Sequence, residues 1–403
     1  MSRSDKGKRN AWVLALCQAL FICAISVDLT LTGITGYQLA PDKMLATLPF
    51  ALITVGAATV TVFAAFVMQR LGRRLGFALG ALCGAAGGLI SVIAIVHGNF
   101  WLFCLGTAGV GAFQGFAQFY AIAAADSVQA HYKGRAISTV LAGGVVAALA
   151  GPMLATWAKD LAFDTPFAGA YLLVATLSLL SAVSLLVLYR DIDMVAAQEA
   201  GDLLPARPLG TIARQPIFVA GVATTMASAA AMMFVMTASP LAAVACGFSI
   251  DDGARIIQWH LLGMFAPSFF AGRLVDRHGL VPVLTVGVAL MAVCAAIATA
   301  STALAAFHLA LLALGIGWNM LTVCGTTLVS QSYRAAERGK AQALAGLLGN
   351  LAATVATLSA GAALERFGWT AVNLLILPML AVSLRLVLRW RGASRASLGE
   401  GLA

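Results

Sequence analysis

Long, unbroken apolar runs dominate this chain and leave it few ways to fold. About 20 consecutive apolar residues are needed for a helix to cross the hydrocarbon core of a bilayer. Between polar breaks the sequence offers twelve such stretches: 11–40, 45–69, 75–97, 101–128, 136–158, 167–189, 216–245, 253–275, 280–301, 303–330, 341–363 and 368–389. The runs are continuous and do not alternate with polar residues, so transmembrane barrel strands are excluded. Only 10% of the 403 residues are charged and 61% are hydrophobic, whereas a soluble domain carries roughly 25% charged residues. An all-α membrane protein with 12 transmembrane helices is expected.

The charges supply an orientation. If the N-terminus lies inside, 21 of the 25 basic residues fall on its side of the membrane, and only Lys43, Lys159, Arg255 and Arg366 fall on the other. The positive-inside rule then places both termini in the cytoplasm. The same spread over every inner loop argues against nucleic-acid binding, which needs one basic surface. Lys6, Lys8 and Arg9 precede the first apolar run, as in a secretory signal. That run continues from Ala11 to about Ala40, well beyond a signal's apolar core of roughly 7–15 residues, so an uncleaved first span is expected. The seven cysteines lie scattered in apolar stretches with no CxxC pair and read as small apolar fillers.

The longest polar stretch, Arg190 to Pro216, parts the spans six and six. The expected organisation is a first bundle over 1–189, a cytoplasmic linker over 190–215 and a second bundle over 216–403. The halves repeat each other. Arg70-Leu71-Gly72-Arg73-Arg74 after the second span is matched 207 residues later by the Gly272 to Gly279 segment after the eighth. Gly109-Val110-Gly111 is matched by Gly315-Ile316-Gly317, and Gly134-Arg135-Ala136 by Gly339-Lys340-Ala341, at offsets of 206 and 205. Three anchors at nearly one offset indicate a duplicated six-helix unit, a known transporter construction with its solute site near the midplane.

On these residues the chain resembles the major facilitator superfamily of secondary transporters, in its bacterial twelve-helix form, over nearly its whole length. The family signature after the second helix runs roughly Gly-x-Leu-x-Asp-Arg-x-Gly-Arg-Arg. Gly272, Leu274, Asp276, Arg277 and Gly279 match it in the second half; Arg70, Gly72, Arg73 and Arg74 match it in the first, where Ala65 and Gln69 replace its Gly and Asp. The resemblance implies two pseudo-symmetric six-helix bundles, a cavity lined by the first, fourth, seventh and tenth helices, and gating by the signature loops. Arg70, Gly72, Arg73, Asp126, Arg135, Gly272, Asp276, Arg277, Gly279 and Arg338 are the gating candidates. An uncharged Gln69 weakens the expected contact of the signature acid with a helix end. Two motifs tied to proton-driven export are partial: Gln114-Gly115 lacks the preceding Arg, with Gly111 in its place, and Gly151-Pro152 lacks the closing glycine pair.

Ionisable residues inside a span are expensive and mark function by default. Asp28, flanked by Ser26, Thr30 and Thr32, lies about 17 residues from the inner end of the first span, or roughly 25 Å at 1.5 Å per residue. A carboxyl group there can carry a proton, hold a cation or pair with a neighbouring helix. His260 in the eighth span suits a proton relay, or a plain hydrogen bond across helices. The cavity candidates are Gln114, Gln118 and Tyr120 in the fourth span, Thr225, Met232 and Met236 in the seventh, Gln258 and Trp259 in the eighth, Trp318 and Asn319 in the tenth, and Asn350 in the eleventh. Gln114 and Gln118 share one helix face, and the methionines serve equally as core fillers.

No Arg or Lys other than Arg385 falls within a span away from the ends. A phosphate ester or dicarboxylate would call for buried Arg, so a neutral, cationic or amphipathic solute is expected. The expected activity is secondary transport by alternating access with proton coupling, export leading and nutrient uptake as the alternative. A non-transporting sensor on the same fold is the remote third reading. HExxH, GxSxG and a close pair of intramembrane Asp residues are all absent, which argues against an enzyme. No cofactor or metal is expected. The expected partners are a small-molecule substrate, protons and lipid, for a monomer in the bacterial inner membrane.

Overall fold

A computed structural model describes residues 3–128, 133–161, 165–191, 207–334 and 337–400. The side chains of Arg135, Asp276 and Arg338 lie outside the described residues. Among the described residues, nine helices are long and apolar enough to cross a membrane, or ten when Thr139–Ala147 and Ala150–Ala158, bent by 41°, are one span. Helix breaks account for the other two. Ile250–Phe265 and Ser268–His278 are halves of the eighth span, parted at Ala266-Pro267 because proline has no N–H to continue the ladder. Lys340–Gly392 is 53 residues long and holds two spans, divided at Gly368, where φ is +75°. The chain is therefore an all-α protein of twelve membrane-spanning helices.

The duplication is visible in the backbone. Leu48–Val96 joins the second and third spans across Gly72, whose φ/ψ is 84°/161°. Gly279, between the eighth and ninth spans, has 84°/162°. Only glycine enters that region without strain. The Gly-x-Gly pairs of the fourth and tenth spans both serve close packing, with the order of the two neighbours exchanged between the copies. Residues two apart on a helix point to nearly opposite faces, since each residue turns by about 100°. A Cβ on Gly109 would lie 3.0 Å from Gly87 in the third span, and one on Gly111 would lie 2.2 Å from the Ile53 carbonyl in the second. In the other copy, Gly317 faces Gly287 of the ninth span at 2.8 Å, and Gly315 faces the His260 carbonyl of the eighth at 2.4 Å. Each pair thus lets one helix approach two neighbours closely.

Contacts group the chain into two compact units, Met1–Ala197 with Pro240–Gln258, and Gln198–Ser239 with Trp259–Ala403. Residues 240–258 join the first unit for two reasons. Lys159 pairs with Asp251 at 2.5 Å, and Leu241 and Ile250 pack on a buried cluster that includes Leu31, Phe167 and Tyr171.

Gly72 is held by more than its own geometry. A Cβ there would lie 2.9 Å from Asp191 Oδ2, whereas one on Gly279 would find its nearest neighbour at 4.0 Å. Forcing an L-residue into this glycine-only region costs on the order of 1–3 kcal/mol. Gly279→Ala should lower stability by about that amount, and Gly72→Ala by more, because Asp191 must also move. Thermal unfolding of the detergent-purified variants measures the difference, and equal midpoints would contradict it.

Candidate functional site

In the first unit, Asp28 opens a π-helical turn, Asp28–Thr32, set between the helices Arg3–Val27 and Gly33–Leu39. Such turns insert one extra residue per turn and occur often at functional sites. Asp28, Thr30 and Thr32 are buried. Thr32 Oγ1 donates to Asp28 Oδ1 at 3.0 Å and lies 2.8 Å from the Tyr171 hydroxyl, which can donate to it in turn. Tyr171, on Ala168–Leu188, is fixed edge-on against Phe103 with ring centroids 5.1 Å apart. Among the described residues Asp28 Oδ2 has no hydrogen-bond partner, and no ion pair includes Asp28. The chain Tyr171–Thr32–Asp28 therefore satisfies one carboxyl oxygen and leaves the other free to carry a proton.

The remaining first-unit candidates separate. Gln114 is half-buried and Gln118 exposed. Gln118 Nε2 donates to the Gly115 carbonyl at 3.1 Å and to Thr61 Oγ1, beside the break at Gln118-Phe119 between Phe100–Ala117 and Tyr120–Asp126. Tyr120 is fully buried, its ring edge-on to Phe77 at 4.9 Å, so it packs the bundle. Gln258 is half-buried and grouped with this unit. Arg73 pairs with Asp126 at 2.6 Å, joining the signature loop to the end of the fourth span. Arg70 lies over the Phe66 ring at 4.3 Å. Asp191, a residue the motif reading did not single out, accepts the Arg74 N–H at 3.1 Å. It brings a carboxylate to the start of the third span, where the helix dipole favours one. Its sequence signal was an acid directly after the sixth span.

The second unit contains a cavity of about 350 Å³ between the seventh, tenth and eleventh spans. Trp318 and Tyr333 give it flat aromatic faces, Thr225, Thr322 and Thr326 give hydroxyls, and Gln342 and Asn350 give amides. Three sequence candidates, Thr225, Trp318 and Asn350, thus come together. Tyr333 and Gln342 were not among the sequence candidates: Tyr333 falls just beyond the tenth span, and Gln342 falls at the very start of the eleventh, next to the basic residues Arg338 and Lys340. They hydrogen-bond to each other, Gln342 Nε2 donating to the Tyr333 hydroxyl at 2.7 Å. Among the described residues, no basic side chain lines the cavity.

Other second-unit candidates lie elsewhere. Met232 and Met236 are buried and lie outside the cavity lining. Asn319 is buried and pins the eighth-span break, its Nδ2 donating to the Met264 carbonyl at 2.8 Å and Ser268 Oγ at 2.7 Å. The break frees that carbonyl from the helix ladder, so a side-chain donor satisfies it. His260 is buried with Nδ1 2.9 Å from the Leu311 carbonyl, a tie between the eighth and tenth spans. Trp259 is 45% exposed and meets the His308 ring edge-on. Gly272 and Arg277 are exposed beside the Gly279 turn.

Comparison with known proteins agrees with this architecture. A model of the Major Facilitator Superfamily matches residues 14–267 and 256–401. The riboflavin transporter RfnT of Brucella anthropi is 40% identical over 400 residues, covering 98% of this chain and 99% of that protein. The uncharacterized MFS-type transporter YdeG of Bacillus subtilis is 27% identical, covering 93% of this chain and 92% of that protein. A solved structure of the nucleoside transporter NupG, in a mutant form, superposes with a TM-score of 0.70 at 13% identity, covering 94% of this chain and 99% of that one, and supports the fold alone. Matched by the family model from residue 14 to residue 401, and nearly full length against a transporter at 40% identity, the chain belongs to the major facilitator superfamily.

Proposed function

We propose that this chain carries riboflavin, or a solute of the same build, into the cell by alternating access, driven by protons. The observation that carries the reading is the 40% identity to a riboflavin transporter along both whole chains. The cavity chemistry supports it. Riboflavin is neutral, with a flat fused ring and a polyol tail. Trp318 and Tyr333 can stack on such a ring, and the threonine hydroxyls with Gln342 and Asn350 can bond its polar edge and tail. About 350 Å³ lies within the roughly 300–1,000 Å³ of small-molecule sites. A lining with no Arg or Lys among the described residues suits a neutral solute better than its phosphate ester. Asp28 is the proposed proton carrier, and the Tyr171–Thr32 pair orients it.

In this reading the protein is a carrier and not an enzyme, needs no cofactor, works as a monomer and keeps both termini in the cytoplasm of a bacterial inner-membrane protein. Uptake, the alternative raised by the sequence, is preferred over export because a vitamin is a solute a cell gathers. Export stands as the second reading on one observation, the 41° bend beside Gly151-Pro152. Cells unable to make riboflavin, expressing this chain, should accumulate labelled riboflavin saturably, and riboflavin phosphate should compete at least ~10-fold more weakly, a loss of about 1.4 kcal/mol. Uptake no faster than in cells without the chain would refute the solute assignment. Faster loss from preloaded cells would reverse the direction.

A further inference from the structure

The end of the linker is tied to the second unit by a polar contact of unusual completeness. Glu337 lies in the loop between the tenth and eleventh spans, and its side chain has no exposed surface. Its Oε1 accepts the Arg207 backbone N–H at 2.7 Å and Arg207 Nε at 2.8 Å. Its Oε2 accepts Arg207 Nη2 at 2.7 Å and the Arg334 N–H at 3.0 Å. Four donors thus fill the four acceptor positions of one carboxylate, and Arg supplies the planar fork that this geometry needs. Arg207 also donates to the Ser332 carbonyl at 3.1 Å, and Lys340 Nζ donates to the Arg207 carbonyl.

Arg207 holds the Glu337 carboxyl well below the usual carboxylate range, chiefly through these hydrogen bonds. A depressed value contributes stability that is complete above the unfolded carboxylate pKa and lost only as pH falls through the folded one. The pair therefore stays charged throughout the working range of a cell and does not serve as a pH switch.

The contact lies beside the wall of the cavity. The clamped loop is flanked by Tyr333 and Gln342, which bond to each other and line the cavity. Beyond Arg207 the chain forms Leu209–Ala213, whose Ile212 is buried in a cluster with Phe218, Val222, Val329 and Ala341, packed in turn by Tyr333, Ala345 and Leu348. We propose that Arg207 and Glu337 are positioning residues for the solute site: they make the linker's end the support beneath Tyr333 and Gln342 and so set the solute affinity. The proposal rests on the reading that this cavity takes the solute.

Two measurements on the full-length protein test it, one independent of solute. Hydrogen exchange of backbone amides at 333–345 should accelerate at least ~10-fold in Glu337→Gln and Arg207→Lys without riboflavin present. In transport, both variants should raise the riboflavin KM by about tenfold and change the maximal rate less than twofold. Glu337→Asp, which keeps the charge, should restore part of the KM. The charge-swapped pair Arg207→Glu with Glu337→Arg should not, since two of the four donors are backbone N–H groups that no cation can satisfy. Unchanged exchange in Glu337→Gln would overturn the clamp, and so would rescue by the charge swap. Faster exchange with an unchanged KM would overturn the positioning role while leaving the cavity assignment intact. A wild-type chain that carries no riboflavin would overturn the solute assignment, and the positioning role with it.

Discussion

Asp28→Asn should abolish accumulation of riboflavin against its gradient while leaving exchange of labelled for unlabelled riboflavin across the same membrane. Asparagine has the shape of the protonated carboxyl and can accept the Thr32 hydroxyl bond that Asp28 Oδ1 accepts at 3.0 Å. It cannot release a proton. A carrier locked in the protonated form still binds and turns over solute but draws no work from a pH gradient. With one proton per solute, a tenfold proton gradient supports about a tenfold solute gradient, or about 1.4 kcal/mol. The variant's accumulation ratio should therefore fall to about one. Tyr171→Phe removes a hydroxyl that meets Thr32 at 2.8 Å and should slow coupling without abolishing it. Full gradient-driven accumulation by Asp28→Asn would remove Asp28 from the mechanism.

The second large effect is expected at Trp318. In the cavity it provides the larger of the two aromatic faces, and Tyr333 provides the other. Stacking of a flat heteroaromatic ring on such a side chain is worth about 1–3 kcal/mol. Trp318→Ala should therefore weaken riboflavin binding by roughly 5- to 150-fold, and Trp318→Phe should recover most of the loss. Titration of the flavin fluorescence with purified protein measures this directly, because stacking quenches it. Equal dissociation constants for wild type and Trp318→Ala would place the solute elsewhere.

Much of the architecture was legible because it follows from solvent. Apolar runs of bilayer length dictate helices, and Gly72 and Gly279 mark turns that only glycine enters freely, at the positions where the repeat predicts them. Breaks inside spans were less legible. Pro267 signals one, but the π-helical turn at Asp28 has no composition cue beyond a polar cluster. The carboxylate beside the Gly72 turn illustrates another limit. The motif position holds Gln69, yet Asp191, 117 residues beyond Arg74, meets the backbone there.

The site was legible only in part, for a related reason. Thr225, Trp318 and Asn350, which line the cavity, stand out in the sequence as polar or aromatic residues within spans. Tyr333 and Gln342 lie on either side of Glu337, which bonds Arg207, 130 residues earlier in the chain, and no local pattern signals that contact. Tyr120, Met232, Met236 and Asn319 show the converse. Each has the chemistry of a cavity residue, and each is spent on packing or on a helix break.

Proton-driven riboflavin uptake is measurable with purified protein in sealed liposomes, given an imposed pH gradient and labelled riboflavin outside. A gradient acid outside should drive saturable accumulation above the external concentration, and dissipating it with a proton ionophore should return the inside to equality. Riboflavin entering no faster than into empty liposomes, or levelling at the same concentration with and without the gradient, would contradict proton-driven uptake.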